Sequence, residues 1–328
     1  MDLAIVGVTG MVGRVLLRVL EERDFPVDNL IPVASERSRG KELEFKGTSY
    51  PVHGLEEALE MGPELVIFSA GSQVAREWAS AFVDRGATVI DNSSAFRMDE
   101  GIPLVVPEIN GDRIGPDGGI IANPNCSTIQ FVMALAPIHA EYGVDRAVVS
   151  TYQSVTGSGQ KALDQLMGER KGEAPEMAYP FPIDLNCIPH CGDFDETGYN
   201  EEERKLMTEP MKILGDASLR LTATAVRVPV KGGHSESINL ELKREFDIGD
   251  LQILLSHVPG IKLQDNPDMK QYPMPLHAEG NDEVFVGRLR RDTTKDNALD
   301  MWVVADNLRK GAATNAVRIA ELVLEKRG

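Results

Sequence analysis

Gly7-Val8-Thr9-Gly10-Met11-Val12-Gly13 is the stretch whose reading decides the fold. An apolar run, Leu3 to Val8, leads into it and reads as a buried strand. Val15, Leu16, Val19 and Leu20 follow at helical spacing. Strand, glycine turn and helix in that order let backbone amides approach a pyrophosphate, with the positive end of the helix dipole behind them. The spacing is G-x-x-G-x-x-G, not the commoner G-x-G-x-x-G, and by itself it fits a tight turn with no ligand. Its setting between a strand and a helix favours a dinucleotide site.

The same alternation continues outward. Leu30 to Ala34 is a second strand, Leu65 to Ser69 a third and Ala87 to Ile90 a fourth, with a helix from about Val74 to Arg85 between the last two. Leu104 to Val106 and Gly119 to Ala122 extend the set. Strands alternating with helices imply a parallel, doubly wound sheet with ligands at the carboxyl ends of its strands. Arg97, in Ser93-Ser94-Ala95-Phe96-Arg97, lies just past such an end. The second strand ends in Ser35-Glu36-Arg37-Ser38-Arg39. An acid there holds the ribose hydroxyls of NAD, whereas arginine accepts the 2′-phosphate of NADP. One acid stands among several donors, so the weight is on phosphate; a solvated charged loop is the plainer alternative.

Asn123-Pro124-Asn125-Cys126-Ser127-Thr128-Ile129-Gln130 joins the last strand to an apolar run, Ile129 to Ile138, that reads as a helix. Cys126 therefore sits at a strand-to-helix turn. Helix N-terminal amides favour a thiolate and can hold an oxyanion on an attacked carbonyl. A buried structural cysteine is the alternative, but the Pro and Asn before it and the capping residues after it point to a nucleophile.

Beyond that helix the pattern changes. Arg146 to Gln153, Leu219 to Val230, Ser235 to Leu242, Val284 to Leu289 and Met301 to Ala305 are strand-like, with a helix near Lys161 to Met167. Residues 171 to 204 are loop-rich, and Glu201-Glu202-Glu203 reads as a solvated helix start. From Asn307 a helix follows, with Ala313, Ala316, Ile319, Ala320, Val323 and Leu324 at helical spacing. The expected fold class is α/β: a doubly wound Rossmann-type dinucleotide-binding domain plus an α+β domain with a mostly antiparallel sheet. The expected bounds are 1–127 with about 307–328 for the first, and about 128–306 for the second.

The 328 residues suffice for two domains, and the formal net charge of −17 argues against nonspecific nucleic-acid binding. Anionic small substrates need only a local basic pocket. Three cysteines suit a reducing compartment rather than a disulfide framework. The opening residues lack a basic start and a small-residue cleavage site, and no apolar run reaches membrane-spanning length. The expectation is a cytoplasmic protein that partners neither membrane nor nucleic acid.

His234 follows a glycine turn, and a histidine is the natural base for a thiol. Arg227 has the fork to clamp a carboxylate, or else to make a surface ion pair. Cys187, His190 and Cys191 lack the paired spacing and fourth ligand that zinc needs, so no metal is expected.

With these residues in view, the chain resembles the aspartate-semialdehyde dehydrogenases. The resemblance runs from Gly7 to about Glu321 and rests on Gly7 to Gly13, Ser93 to Arg97, Asn123 to Thr128, Tyr152-Gln153-Ser154-Val155-Thr156-Gly157, Arg227-Val228-Pro229-Val230 and His234-Ser235-Glu236. Glu209-Pro210-Met211-Lys212 matches the family's Glu-Thr-x-Lys with Pro for Thr. The resemblance implies Cys126 as acyl-thioester nucleophile, His234 as general acid/base and Gln153 orienting the intermediate. It implies Arg227 and Glu209 at the substrate's carboxylate and amino group, and Arg97, Asn125 and Lys212 at the phosphate. Its NADP would lie at Gly7, Thr9, Gly10, Met11, Val12, Gly13, Ser35, Arg37, Ser38, Gly71, Thr156, Gly157 and Asn307. A homodimer or homotetramer is implied. N-acetyl-γ-glutamyl-phosphate reductase, of related architecture, and a noncatalytic dinucleotide-binding paralogue are the alternatives.

Overall fold

The computed structural model describes residues 1–116 and 118–327, and the chain divides into two compact units, Met1–Asn125 with Ala312–Gly328, and Cys126–Gly311. Gly328, where the expected nucleotide-binding segment ends, lies outside the described residues. In chain order the first unit contains β1 (Asp2–Val6), α1 (Met11–Glu22), β2 (Asn29–Val33), β3 (Glu42–Phe45), β4 (Thr48–Pro51), α2 (Leu55–Met61), β5 (Leu65–Phe68), α3 (Ser72–Asp84), β6 (Thr88–Asp91), α4 (Pro107–Asn110) and β7 (Ile120–Ala122). The second contains α5 (Cys126–Tyr142), β8 (Val144–Gln153), α6 (Gln160–Arg170), α7 (Glu201–Leu214), β9 (Arg220–Arg227), β10 (His234–Leu242), α8 (Ile248–Ser256), β11 (Ile261–Leu263), α9 (Pro275–Ala278), β12 (Val284–Arg291) and β13 (Ala298–Ala305). The chain then returns to the first unit as α10 (Thr314–Arg327).

In the first unit β2-β1-β5-β6-β7 form a wholly parallel sheet. Parallel strands are buried on both faces, so they read as continuous apolar runs; Leu65-Val66-Ile67-Phe68 is fully buried throughout. Helix α1 turns Leu16, Val19 and Leu20 into this core, and α10 adds Ala316, Ile319, Ala320 and Val323. Between β1 and α1 the chain needs Gly7, which has φ of 86° and whose Cβ would stand 2.4 Å from the Ser69 carbonyl oxygen. A Cβ at Gly13 would lie 2.4 Å from the Gly7 carbonyl oxygen, so both glycines exist for close approach of backbone to backbone. The expected strand at Leu104 to Val106 reduces to one bridge, Leu104 to Ala122. The hairpin β3–β4 was not foreseen; only Phe45 of β3 is buried, which leaves too little apolar alternation to read.

The second unit's sheet has the order β11-β12-β13-β10-β8-β9. Its centre is antiparallel, as expected, but the outer pairs β11–β12 and β8–β9 are parallel, so the sheet is mixed. The β8–β9 pair is parallel because α6 and α7 intervene and carry the chain back to the same end. Helix α5 packs on β8, β10, β12 and β13. Glu201 to Glu203, read as a solvated helix start, do begin α7 with Glu201 exposed, but the reading is corrected for the next two: Glu202 is 6% and Glu203 7% exposed. Asn200 caps α7 through a capping box with Glu203, whose other oxygen accepts from the Ala225 amide of β9 (2.9 Å). The charge run therefore marks a buried helix start, fixed by a neighbouring strand.

Candidate active site

In the first unit, Gly10 and Gly71 are the N-caps of α1 and α3; neither cap makes a side-chain hydrogen bond, and neither first turn holds an acid. Thr9 precedes the cap, and Met11, Val12 and Gly13 form the first turn of α1. Open helix N-termini over a glycine cradle suit a pyrophosphate. Ser35 precedes a short 3-10 turn, Glu36–Ser38, in which Glu36 and Arg37 are exposed. A cleft of about 280 Å³ adjoins it, lined by residues that include Ser35, Glu36, Arg39, Glu57 and Trp78. There Arg39 pairs with Glu57, while Arg37 is not part of the lining. Arg97 is buried, and its guanidinium donates to the carbonyls of Asn123 (2.9 Å) and Asn92 (2.8 Å), past the ends of β7 and β6. Asn125 is buried as the unit's last residue before the cysteine.

In the second unit, Cys126 is the first residue of α5. A Cβ at Gly311 would stand 2.9 Å from the cysteine Cβ, so that glycine lets the chain pass close to the thiol. Strand register brings the other residues together: Gln153 pairs with Arg227 across β8–β9, and Ser235 with Tyr152 across β10–β8, which sets His234 beside Gln153. Gln153 Nε2 donates to Ser127 Oγ and to Glu202 Oε1 (2.9 Å). Its Oε1 is buried without a partner.

The Nδ1 of His234 accepts from the Ser154 backbone amide (3.1 Å). An amide can only donate, so the neutral ring carries its proton on Nε2. Nε2 is buried with no partner. Burial, and then the Arg227 guanidinium, push His234 down to about 3, with Glu202 and the Gly233 backbone pulling the other way. His234 is therefore neutral near pH 7. Asn307 secures this arrangement: its Oδ1 accepts from Ser154 Oγ (3.0 Å) and Gly233 N–H (3.1 Å), and its Nδ2 donates to Thr156 Oγ1 (3.1 Å).

Arg227 ends β9, and its Nη1 donates to the Ser154 carbonyl (3.3 Å). Its Nε is buried and without a partner, the state of a fork that awaits an acceptor. Burial lowers its pKa, but Cys191, Glu202, Tyr179 and Cys126 outweigh burial and raise it. A Cβ on Gly157 would stand 2.5 Å from Arg227 Nη1 and 3.0 Å from His234 Nε2. Gly157 and Thr156 thus lie against the catalytic side chains. Glu209, buried, and Lys212, half-buried, share one face of α7 one turn apart.

Sequence reasoning missed Glu202, Ser154, Cys191 and Tyr179. Glu202 stands seven residues before Glu209 and so on the same helical face, a spacing that could have marked it. Cys191 and Tyr179 come from the loop-rich stretch, whose placement at Arg227 no local pattern shows. The Cys191 thiol is pushed up to about 11 by burial, against the pull of Arg227. His190 stacks on Phe194 (4.9 Å). Among the described residues no group of acidic, His and Cys side chains could hold a metal ion.

Two sequence families match these units. One described as "Semialdehyde dehydrogenase, NAD binding domain" matches residues 2–116, and one described as "Semialdehyde dehydrogenase, dimerisation domain" matches residues 135–310. These define the class, a semialdehyde dehydrogenase. The aspartate-semialdehyde dehydrogenase of Aquifex aeolicus is 51% identical over 98% of this chain and 98% of its own, and that of Legionella pneumophila 46% over 98% and 95%. The crystal structure of aspartate semialdehyde dehydrogenase II from Vibrio cholerae superposes with a TM-score of 0.94 at 43% identity, covering 99% of this chain and 98% of that one. The chain belongs to the aspartate-semialdehyde dehydrogenase family.

Proposed function

We infer that this chain is the NADP-dependent oxidoreductase that converts 4-phospho-L-aspartate into L-aspartate 4-semialdehyde, a step in biosynthesis of the aspartate-derived amino acids lysine, threonine and methionine. The observation that carries the reading is that an open Arg227 Nε and a neutral, partnerless His234 Nε2 lie together in the unit that begins with Cys126. The first unit would hold NADP, and the second, which begins with Cys126, the chemistry and the dimer contact; the expected bounds at 127 and 307 thus move to 125 and 312.

The tight backbone turn that Gly7 and Gly13 permit and the uncapped α1 fit the cofactor, which would supply hydride when bound. Cys126 Sγ attacks the acyl carbon, the carbon–oxygen bond to phosphate breaks, and a thioester remains on the enzyme. Arg97, Asn125 and Lys212 would receive the phosphate. Arg227 binds the substrate's other carboxylate through its fork, and Glu209 its amino group. Gln153, whose amide oxygen is buried without a partner, would orient the intermediate. His234 starts with its proton on Nε2 and gives it to the oxygen or sulfur that gains charge, then serves as base in the reverse direction.

The test is direct. The purified chain, given aspartate semialdehyde, phosphate and NADP, should form NADPH only when phosphate is present. Turnover confined to the N-acetyl-glutamyl substrate, or none, would overturn the reading. The full-length relatives and the Cys126–His234–Arg227 group favour neither the N-acetyl-glutamyl reductase nor a noncatalytic paralogue.

We also propose a homodimer formed by the second unit. Phe181 and Phe194 are strongly exposed there, and Leu185 is 95% exposed with φ of 58°. Large apolar groups so displayed suit cover by a second copy. No described helix is long and apolar enough to cross a membrane. The cytoplasmic assignment rests on the sequence's low cysteine content. Sedimentation of the pure chain as a monomer at micromolar concentration would defeat the dimer.

A further inference from the structure

Beneath the catalytic row lies a second polar row that the reaction does not use. On β10, Glu236 follows His234 by two residues, so both point to the same face, and the register sets Glu236 opposite Thr151 of β8 and Val303 of β13. The next row down, Val149, Ile238 and Met301, is apolar and buried. Gln130 of α5 is one helical turn beyond Cys126, and its Nε2 donates to the His234 carbonyl (3.3 Å). The helix that carries the nucleophile is thus pinned to the strand that carries the histidine by one amide.

Gln130, Thr151 and Glu236 are each fully buried. Gln130 Oε1, Thr151 Oγ1 and both Glu236 carboxyl oxygens have no hydrogen-bond partner. Among the described residues two influences bear on the Glu236 carboxyl: burial, which raises it, and the Gln130 side chain, whose hydrogen bond lowers it by less. Glu202 on α7 and Arg227 on β9 act on His234 in the row above. Burial drives the Glu236 carboxyl well above the usual carboxylate range. One proton on Glu236 turns a buried acceptor into a donor, and Gln130 Oε1 lacks one. A Glu236 O–H then has the Gln130 amide oxygen as its acceptor.

We propose that Glu236 is a positioning residue, held as a neutral carboxylic acid whose O–H fixes the Gln130 amide and, through it, the spacing between the Cys126 helix and the His234 strand. The proposal rests on the reading of Cys126 and His234 as the reacting pair. Its first test does not depend on activity. Infrared spectra of the wild-type enzyme at pH 8 should show a protonated carboxylic acid band that is missing from Glu236→Gln. No difference between the two would show an ionised Glu236 and overturn the proposal.

The second test compares substitutions. Glu236→Ala should lower kcat by about 10- to 100-fold, the scale of an ångström-level misplacement, with the KM for NADP unchanged. Glu236→Gln, which keeps the shape and a donor for Gln130 Oε1, should restore kcat to within a few fold of wild type. A loss in Glu236→Gln as large as in Glu236→Ala, or a wild-type kcat in Glu236→Ala, would overturn it. If Glu236→Ala does not fold, the infrared comparison and Glu236→Gln still decide.

Discussion

In the first unit the groups offered to a ligand are backbone amides at the open ends of α1 and α3, cleared by glycines. In the second they are buried side chains, Gln153, Arg227 and His234, several with an atom left unpaired. Backbone amides are oriented by local structure, so a seven-residue stretch can build that site. Buried side chains with open valences must be held by their neighbours, so that site draws on α5, β8, α7, β9 and β10 together. The first unit is therefore expected to tolerate change wherever the backbone is untouched, and the second to respond to changes in atoms that never meet substrate.

Removing the nucleophile should give the largest effect. Cys126→Ser is expected to lower kcat by roughly 10⁴-fold or more while NADP still binds, by analogy with other deleted nucleophiles. Burst-phase acyl-enzyme should vanish with it; a normal burst would remove Cys126 from the mechanism.

A pair of glycine substitutions sharpens the contrast between the units. Gly157→Ala puts a methyl 2.5 Å from Arg227 Nη1 and 3.0 Å from His234 Nε2, so kcat/KM should fall by about 100-fold with little change in thermal stability. Gly13→Ala puts its methyl 2.4 Å from a backbone oxygen, which cannot swing away. It should cost about 1–3 kcal/mol of stability and raise the KM for NADP. Equal kinetic patterns in the two variants would erase the distinction.

Smaller again is the expected effect of Arg37→Ala. It should raise the KM for NADP by roughly 10- to 100-fold and leave that for NAD nearly unchanged, as loss of one charge-assisted hydrogen bond does. Arg39 is already engaged with Glu57, whereas Arg37 stands exposed at this strand end. An equal change for both cofactors would show that Arg37 does not read the 2′-phosphate.

Stability against pH gives the subtlest test, because two buried groups of the second unit act in opposite directions. His234 is lowered from 6.5 to about 3, so the unfolded chain gains a proton that the folded chain refuses, and stability falls as pH drops from 6.5 towards 3. Glu236 is raised well above 4.5, so its contribution is complete below 4.5 and is lost as pH rises through the folded value. Tm followed against pH should lose the acid-side slope in His234→Asn and the alkaline-side slope in Glu236→Gln. Unchanged slopes would place the titrations elsewhere.

The sequence alone determined the elements whose chemistry is local. The glycine spacing after β1, the apolar runs of a parallel sheet and the turn before Cys126 each depend on residues a few positions apart. Period and turn chemistry therefore revealed them, and the motif resemblance added candidate roles. Only the tertiary structure decided that Glu202 and Glu203 are buried rather than solvated, because the Gln153 amide holds Glu202, and a capping box and the Ala225 amide hold Glu203, against the preference of a charge run for water. It alone placed Cys191 and Tyr179 near Arg227, since strand register and a loop bridge from Ile188 to Arg227 act across long sequence separations. The tautomer of His234 belongs to the same class. One backbone amide, 80 residues away along the chain, determines which ring nitrogen keeps the proton.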